Sequence, residues 1–194
     1  MAQLNVNALV TAIQDPDDKV RAAAWEDAGK YCAAAVKPLA NVMTDERIEV
    51  ARAAKHGLWK VVRHVGRPGA DQEREQVEVE LCGLLNGDRP DAVVREALWM
   101  LSEIGGDATI EAIRQMVDVM QRKEIRDDAR SAIQRIPSEF AVTTLEEALE
   151  IAPDDFKANL AQALRKRGVK LSEKDYPCQK LVPTKSTQVK PVGR

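Results

Sequence analysis

The sequence predicts an all-α protein built as a solenoid of about five helix pairs, and two observations carry that prediction. A 13-residue amphipathic pattern returns five times in one register. The composition also suits close helix packing rather than sheets: of 194 residues, 44% are hydrophobic but only 4% are aromatic, and alanine is abundant. Small side chains let helix axes approach closely, which favours helix-on-helix layers over a sandwich or barrel.

The pattern is clearest in Val93-Val94-Arg95-Glu96-Ala97-Leu98-Trp99-Met100-Leu101-Ser102-Glu103-Ile104-Gly105, where positions 1, 5, 8, 9 and 12 are apolar and position 13 is glycine. At about 100° per residue those positions share one stripe of a helix, while positions 3, 4, 6, 7 and 11 point away from it. The same frame reads Val20, Ala24, Asp27, Ala28, Tyr31; Val50, Ala54, Gly57, Leu58, Val61; Ile125, Ala129, Ala132, Ile133, Ile136; and Phe156, Leu160, Ala163, Leu164, Arg167. The copies start at residues 20, 50, 93, 125 and 156, at intervals of 30, 43, 32 and 31. A period near 31 with one insertion is a repeat array.

Each copy should pair with an outer helix. Leu4, Ala8, Leu9, Ala12 and Ile13 give the first, ended by Asp15-Pro16-Asp17-Asp18, a turn that also sets acids at the next helix's positive end. The first inner helix follows, from Val20 to Tyr31. Pro38 is acceptable in a first helical turn, so the second outer helix is expected to start near Val36 or Lys37 and to stop near Thr44-Asp45. The second inner helix should run from Arg47 to His64 and break at Gly66-Arg67-Pro68-Gly69. Gln72 to Asn86 reads as the third outer helix, stopped by Asn86-Gly87-Asp88-Arg89-Pro90. The third inner helix ends at Gly105-Gly106. Ile110, Ile113, Met116, Val117 and Met120 form a fourth outer helix, and Val142, Leu145, Ala148 and Leu149 a fifth. Pro153-Asp154-Asp155 opens the last inner helix, closed by Gly168.

The helical array is therefore expected over residues 1–168. From Val169 to Arg194 the periodicity fails, with prolines at 177, 183 and 191 and six Lys/Arg against Glu173 and Asp175. This stretch reads as a basic, disordered tail.

Net charge is −2 with a pI near 5.8, which argues against a general attraction for nucleic acid. Cys32, Cys82 and Cys178 are odd in number and widely spaced, suggesting reduced thiols rather than a disulfide framework or zinc cluster. No basic leader with an apolar run and no stretch near 20 apolar residues is present, so a cytoplasmic protein without membrane contact is expected.

Val20-Arg21-Ala22-Ala23-Ala24-Trp25, Gly29-Lys30-Tyr31 and Ala35-Val36-Lys37-Pro38-Leu39 together resemble the HEAT repeat of the phycobilisome-lyase variety, V-R-x-x-A-x-x-A-L-G-x-I-G followed by A-V-x-P-L. Residues 93–105 and 125–136 resemble the same unit. The resemblance implies a right-handed α-solenoid whose V-R helices line a concave face. It also implies a mostly non-catalytic binding surface, although some relatives attach or detach bilin chromophores and other HEAT-like proteins engage damaged DNA. Two residues depart from the pattern: Asp27 occupies an apolar position, and Cys32 replaces the closing glycine. An irregular terminal repeat is expected there.

Outward positions give the candidate partner-binding residues Trp25 and Lys30 on the first inner helix, Arg52, Lys55, His56 and Lys60 on the second, Arg95, Trp99 and Glu103 on the third, and Arg130 on the fourth. Trp25 and Trp99 either pack between repeats, as large aromatics commonly do, or anchor a partner. From Val50 to Arg67 five basic residues and two histidines occur without an acid. That run is either a solvated face neutralised by neighbouring acidic helices or a site for an acidic segment. His56 and His64, eight apart with no carboxylate between them, do not suggest a metal site.

No phosphate loop, H-E-x-x-H or nucleophile elbow occurs, and Asp127-Asp128 and Asp154-Asp155 read as helix-start acids. The sequence thus predicts a non-enzymatic module, without catalytic residues, cofactor or metal, that binds a protein or peptide segment carrying acidic residues.

Overall fold

The computed structural model describes residues 5–86, 89–115 and 122–177. Among them ten α-helices and no strand occur: α1 (Val6–Ile13), α2 (Asp18–Asp27), α3 (Ala33–Val42), α4 (Ile48–Val65), α5 (Asp71–Cys82), α6 (Asp91–Ile104), α7 (Asp107–Gln115), α8 (Arg126–Arg135), α9 (Phe140–Ile151) and α10 (Asp154–Lys166). The even-numbered helices pack in sequence, α2 on α4 through α8 on α10, and the odd-numbered helices do the same, α1 on α3 through α7 on α9. These are the two layers of an α-solenoid, in which each repeat touches mainly its neighbours.

The frame predicts what lies between the layers. Val50, Ala54 and Leu58, their equivalents Val93, Ala97 and Leu101, and Ile125, Ala129 and Ile133 are all buried. Gly57 is small for a reason: a Cβ there would stand 3.0 Å from Leu39 Cδ1 and 3.3 Å from Ala28 Cβ. The acid pairs fall where expected, Asp127 and Asp128 in the first turn of α8, Asp154 and Asp155 in that of α10. No helix among the described residues is long and apolar enough to cross a membrane.

The first repeat is irregular, and more so than a single inner helix from Val20 to Tyr31 allows. The α-helix stops at Asp27, which stays exposed beside Lys30, 2.6 Å away. A 3-10 turn, Ala28–Tyr31, then carries Ala28 and Gly29 into the core. Cys32, at the glycine position, takes φ 46° and ψ −134°, a backbone region that costs any residue with a Cβ. Gly168, at the same frame position in the fifth copy, has φ 88°.

Three other boundaries shift. The turn at Cys32 starts α3 at Ala33, so Pro38 lies in its second turn rather than its first. Ala34, four residues earlier, is exposed, where water can serve its unbonded carbonyl. Helix α5 ends at Cys82, because the chain tightens into a turn that bonds Leu84 N to Leu81 O and Leu85 N to Cys82 O and buries both leucines. The folded part also runs past Gly168: Val169, Leu171 and Tyr176 pack against the core, and Arg165 donates to the Tyr176 carbonyl. Of the expected tail, 178–194 lie outside the described residues, as do Met116, Val117 and Met120.

Two buried or half-buried ionic groups join repeats through backbone. Glu78 Oε1 on α5 accepts from Gly106 N (2.8 Å), Thr109 N (3.1 Å) and Thr109 Oγ1 (2.6 Å), so its carboxylate serves the orphan N–H groups at the start of α7. Arg167 occupies an apolar stripe position of the fifth copy because its guanidinium donates to the carbonyls of Gln134, Ile136 and Ser138. It thereby closes the end of α8.

Candidate binding face of the inner helices

Ala53, Leu98 and Ala161 fall at outward positions yet are buried, because the apolar side of each helix is wider than the five-position stripe. The remaining outward residues of α2, α4, α6, α8 and α10 lie at the surface, and several meet across repeat boundaries. At its N-terminal end Trp25 is half-buried, with His56 edge-on at a 5.1 Å centroid distance and Lys60 Nζ 5.1 Å from the ring. Arg52 and His56 are exposed, and Arg52 makes no ion pair among the described residues. Lys30, in the 3-10 turn, is paired with Asp27 at the end of α2.

Lys55 is engaged: its Nζ stands 2.6 Å from Glu96 Oε2 on α6. Glu96 also accepts from Trp59 Nε1 at 2.5 Å, and Arg63 lies over the Trp59 ring. Trp59 is a residue the frame missed. It falls at position 10, which the helical period sets opposite the apolar stripe, between positions 6 and 3, although the outward set of 3, 4, 6, 7 and 11 leaves it out.

Farther along, the face becomes a ladder of contacts. Trp99 is 37% exposed, but its indole N–H donates to Asp128 at 2.8 Å and Arg135 covers the ring at 5.7 Å. Both readings of this tryptophan thus apply in part, since the ring joins two repeats and still meets solvent. Arg95 pairs with Asp128 at 3.0 Å, and Glu103 with Arg135. Arg130 Nε holds Asp127 at 2.8 Å while Asn159 of α10 donates to the same carboxylate at 3.0 Å. The Arg130 guanidinium is the main reason that Asp127 sits below the usual carboxylate range. Asp127, Arg130, Asn159 and Arg165 line a polar cleft of about 390 Å³ between α8 and α10.

The structure therefore brings the ten predicted residues onto one face but divides them. Trp25, Arg52, His56 and Lys60 have no carboxylate partner among the described residues, whereas Lys30, Lys55, Arg95, Trp99 and Arg130 each meet a carboxylate and Glu103 meets Arg135. The basic run from Val50 to Arg67 divides similarly: Lys55 on α4 meets Glu96, and Arg67, in the turn after α4, clasps both oxygens of Glu73 at 2.8 and 2.9 Å.

At the outer edge of this region a second group assembles that sequence spacing concealed. Cys32, just after the 3-10 turn, places Sγ 3.4 Å from Glu73 Oε2 on α5, and His64 Nε2 on α4 lies 3.7 Å from the same oxygen. The three ligand atoms lie within 4.8 Å of one another. Burial and the neighbouring Glu73 carboxylate raise the Cys32 thiol above its ordinary value. Burial raises the Cys82 thiol, at the end of α5 beside Thr109, to about 11.

The paired helices in two stacked layers define the class, an all-helical repeat protein. No family profile and no curated protein sequence matches the chain. Among solved structures it is similar to a designed armadillo repeat protein, YIII(Dq.V1)4CPAF, in complex with the peptide (KR)4: 21% identity, 83% of this chain and 81% of that one, TM-score 0.45. It is also similar to the designed armadillo repeat protein YIII(Dq)4CqI, with 16% identity, coverage of 90% and 89%, and TM-score 0.45. An engineered protein matches with 19% identity over 84% and 79% and a TM-score of 0.44.

Proposed function

We propose that the protein is a non-enzymatic interaction module that binds an extended protein segment along the inner-helix face, between Trp25 and Trp99. One observation supports this reading above the others. Arg52 and Lys60 present a cationic surface, with the His56 ring between them and without carboxylate partners among the described residues, between two tryptophan rings that both reach solvent. Tryptophan and arginine dominate binding hot spots because they bring large contact area and directional donors. The segment that complements this order carries an apolar anchor, then acidic residues, then a second apolar anchor. Lys55, already joined to Glu96, and Lys30, Arg95, Glu103 and Arg130, each paired, hold the face in shape rather than seize the partner.

A random-peptide library displayed against the intact protein tests the proposal. Selected peptides should share an acidic stretch between apolar residues. Their affinity should fall by about 2 kcal/mol on Trp99→Ala, while Arg52→Glu with Lys60→Glu should mainly slow association in a salt-dependent way. Peptides without acidic residues, or binding unchanged by both variants, would overturn it.

A further inference from the structure

We propose that Cys32 Sγ, His64 Nε2 and Glu73 Oε2 form a binding site for one borderline-soft divalent cation, of which zinc(II) is the reference. Three elements far apart in sequence converge here: the turn before α3, the last turn of α4 and the first turn of α5. This is the one such trio among the described residues.

The geometry fits a tetrahedral ion. Ligand bonds of about 2.0–2.3 Å at tetrahedral angles require ligand–ligand edges of about 3.3–3.6 Å. Two of the edges measure 3.4 and 3.7 Å, both meeting at Glu73 Oε2. The third lies within 4.8 Å and closes by small side-chain rotations. A sulfur, an imidazole nitrogen and a single carboxylate oxygen exclude calcium and magnesium, which take oxygen shells, and select zinc or a similar ion. His64 and Glu73 keep 35% and 39% of their side chains exposed, so the fourth position opens to water.

The surroundings are organised for this. Gly29 lets the Cys32 turn lie against α4, for a Cβ there would stand 3.0 Å from both His64 Cβ and Lys60 O. Arg67 donates to both Glu73 oxygens and to the His64 carbonyl at 2.5 Å. It can keep Oε1 while the ion takes Oε2, the outer-sphere support usual for a ligating carboxylate. The backbone points the same way. Residue 32 has φ 46° where the fifth copy has glycine, so a side chain is present at a position where its absence would relieve strain.

Binding replaces the Cys32 S–H bond with a metal–sulfur bond and releases one proton to solvent, while His64 binds as neutral imidazole and Glu73 as carboxylate. The ion would fasten the irregular first repeat to the second and third.

Cobalt(II) titration of the reduced, chelator-treated full chain tests this directly. One equivalent should produce the near-ultraviolet thiolate-to-cobalt band and the visible bands of tetrahedral cobalt, and zinc should displace it. Cys32→Gly, which suits the backbone and should fold at least as well, should lose the band. His64→Gln and Glu73→Gln should each weaken binding at least tenfold, and Cys82→Ser and Cys178→Ser should retain it. Zinc should raise the melting temperature of the parent and leave that of Cys32→Gly unchanged. A band that survives Cys32→Gly, no thiolate band at all, or affinity indifferent to His64→Gln would overturn the site.

Discussion

Residues 20–65 and residues 91–167 follow one helical frame but use its outward positions differently. In the C-terminal stretch polar side chains reach the next repeat at sequence separations of 29–33: Trp99 and Arg95 to Asp128, Arg126 to Asp155, Asn159 to Asp127 and Arg167 to the α8–α9 turn. The period thus reappears as a ladder of polar contacts. In the N-terminal stretch the frame is broken by Asp27 and Cys32, and the long interval to the third copy follows α4. There Arg52, His56 and Lys60 meet no partnering acid from a neighbouring repeat. Regularity engages side chains in holding repeats together; irregularity leaves them available to other molecules.

The largest test of this contrast is Ala97→Asp in the regular half. It would bury an unpaired carboxylate at a position 2% exposed, lowering stability by about 4 kcal/mol in denaturant unfolding. Val20→Asp, at a frame position in the first copy that is 39% exposed, should cost less than about 1 kcal/mol. Equal losses would mean that the first copy is as tightly packed as the third.

Glu78→Ala should be nearly as damaging as a core change. It removes three bonds to the start of α7 and leaves those N–H groups without their partner, a loss of about 2–3 kcal/mol by the same assay. Truncation sharpens the C-terminal boundary. Ending the chain after Gly168 removes Val169, Leu171 and Tyr176 from the core surface and should cost about 2 kcal/mol. Ending it after Pro177 should leave thermal unfolding unchanged, because no apolar periodicity follows.

What the sequence displayed and what it hid have a physical dividing line. Burial obeys the helical period, so Val50, Val93 and Ile125 were readable as core, and Asp27 and Cys32 as misfits. The local form of the misfit was not readable: whether the chain answers an outward Asp27 by fraying or by tightening into a 3-10 turn depends on its packing against α4. Polar contacts between repeats depend on rotamers and on which helix lies opposite. The helical period sets Trp59 on the outward side, but its bond to Glu96, the bonds of Glu78 and the Cys32–His64–Glu73 cluster carry no local spacing that could announce them.

A smaller effect separates the halves by pH. Arg130 first, then Asn159, hold Asp127 below the usual carboxylate range. Its contribution is therefore complete above the unfolded value of about 4 and is lost as the pH falls through the lower folded value. Asp127→Asn should therefore lower thermal stability at pH 7, where the paired carboxylate contributes in full, and should flatten the further loss below pH 4, where parent and variant converge. An unaltered acid profile would show that the α8–α10 ladder carries no stability.

Two paired charge reversals, read in both melting temperature and affinity for a library-selected peptide, test the division of labour most directly. Arg52→Glu with Lys60→Glu should leave melting unchanged and weaken the peptide at least tenfold at low salt. Arg95→Glu with Arg130→Glu, which turns the α6–α8 attraction of Arg95 for Asp128 and the attraction of Arg130 for Asp127 within α8 into repulsions, should lower the melting temperature by several degrees and weaken the peptide far less. If instead the first pair destabilises the fold, or the second alone abolishes binding, the inner face is not divided in this way.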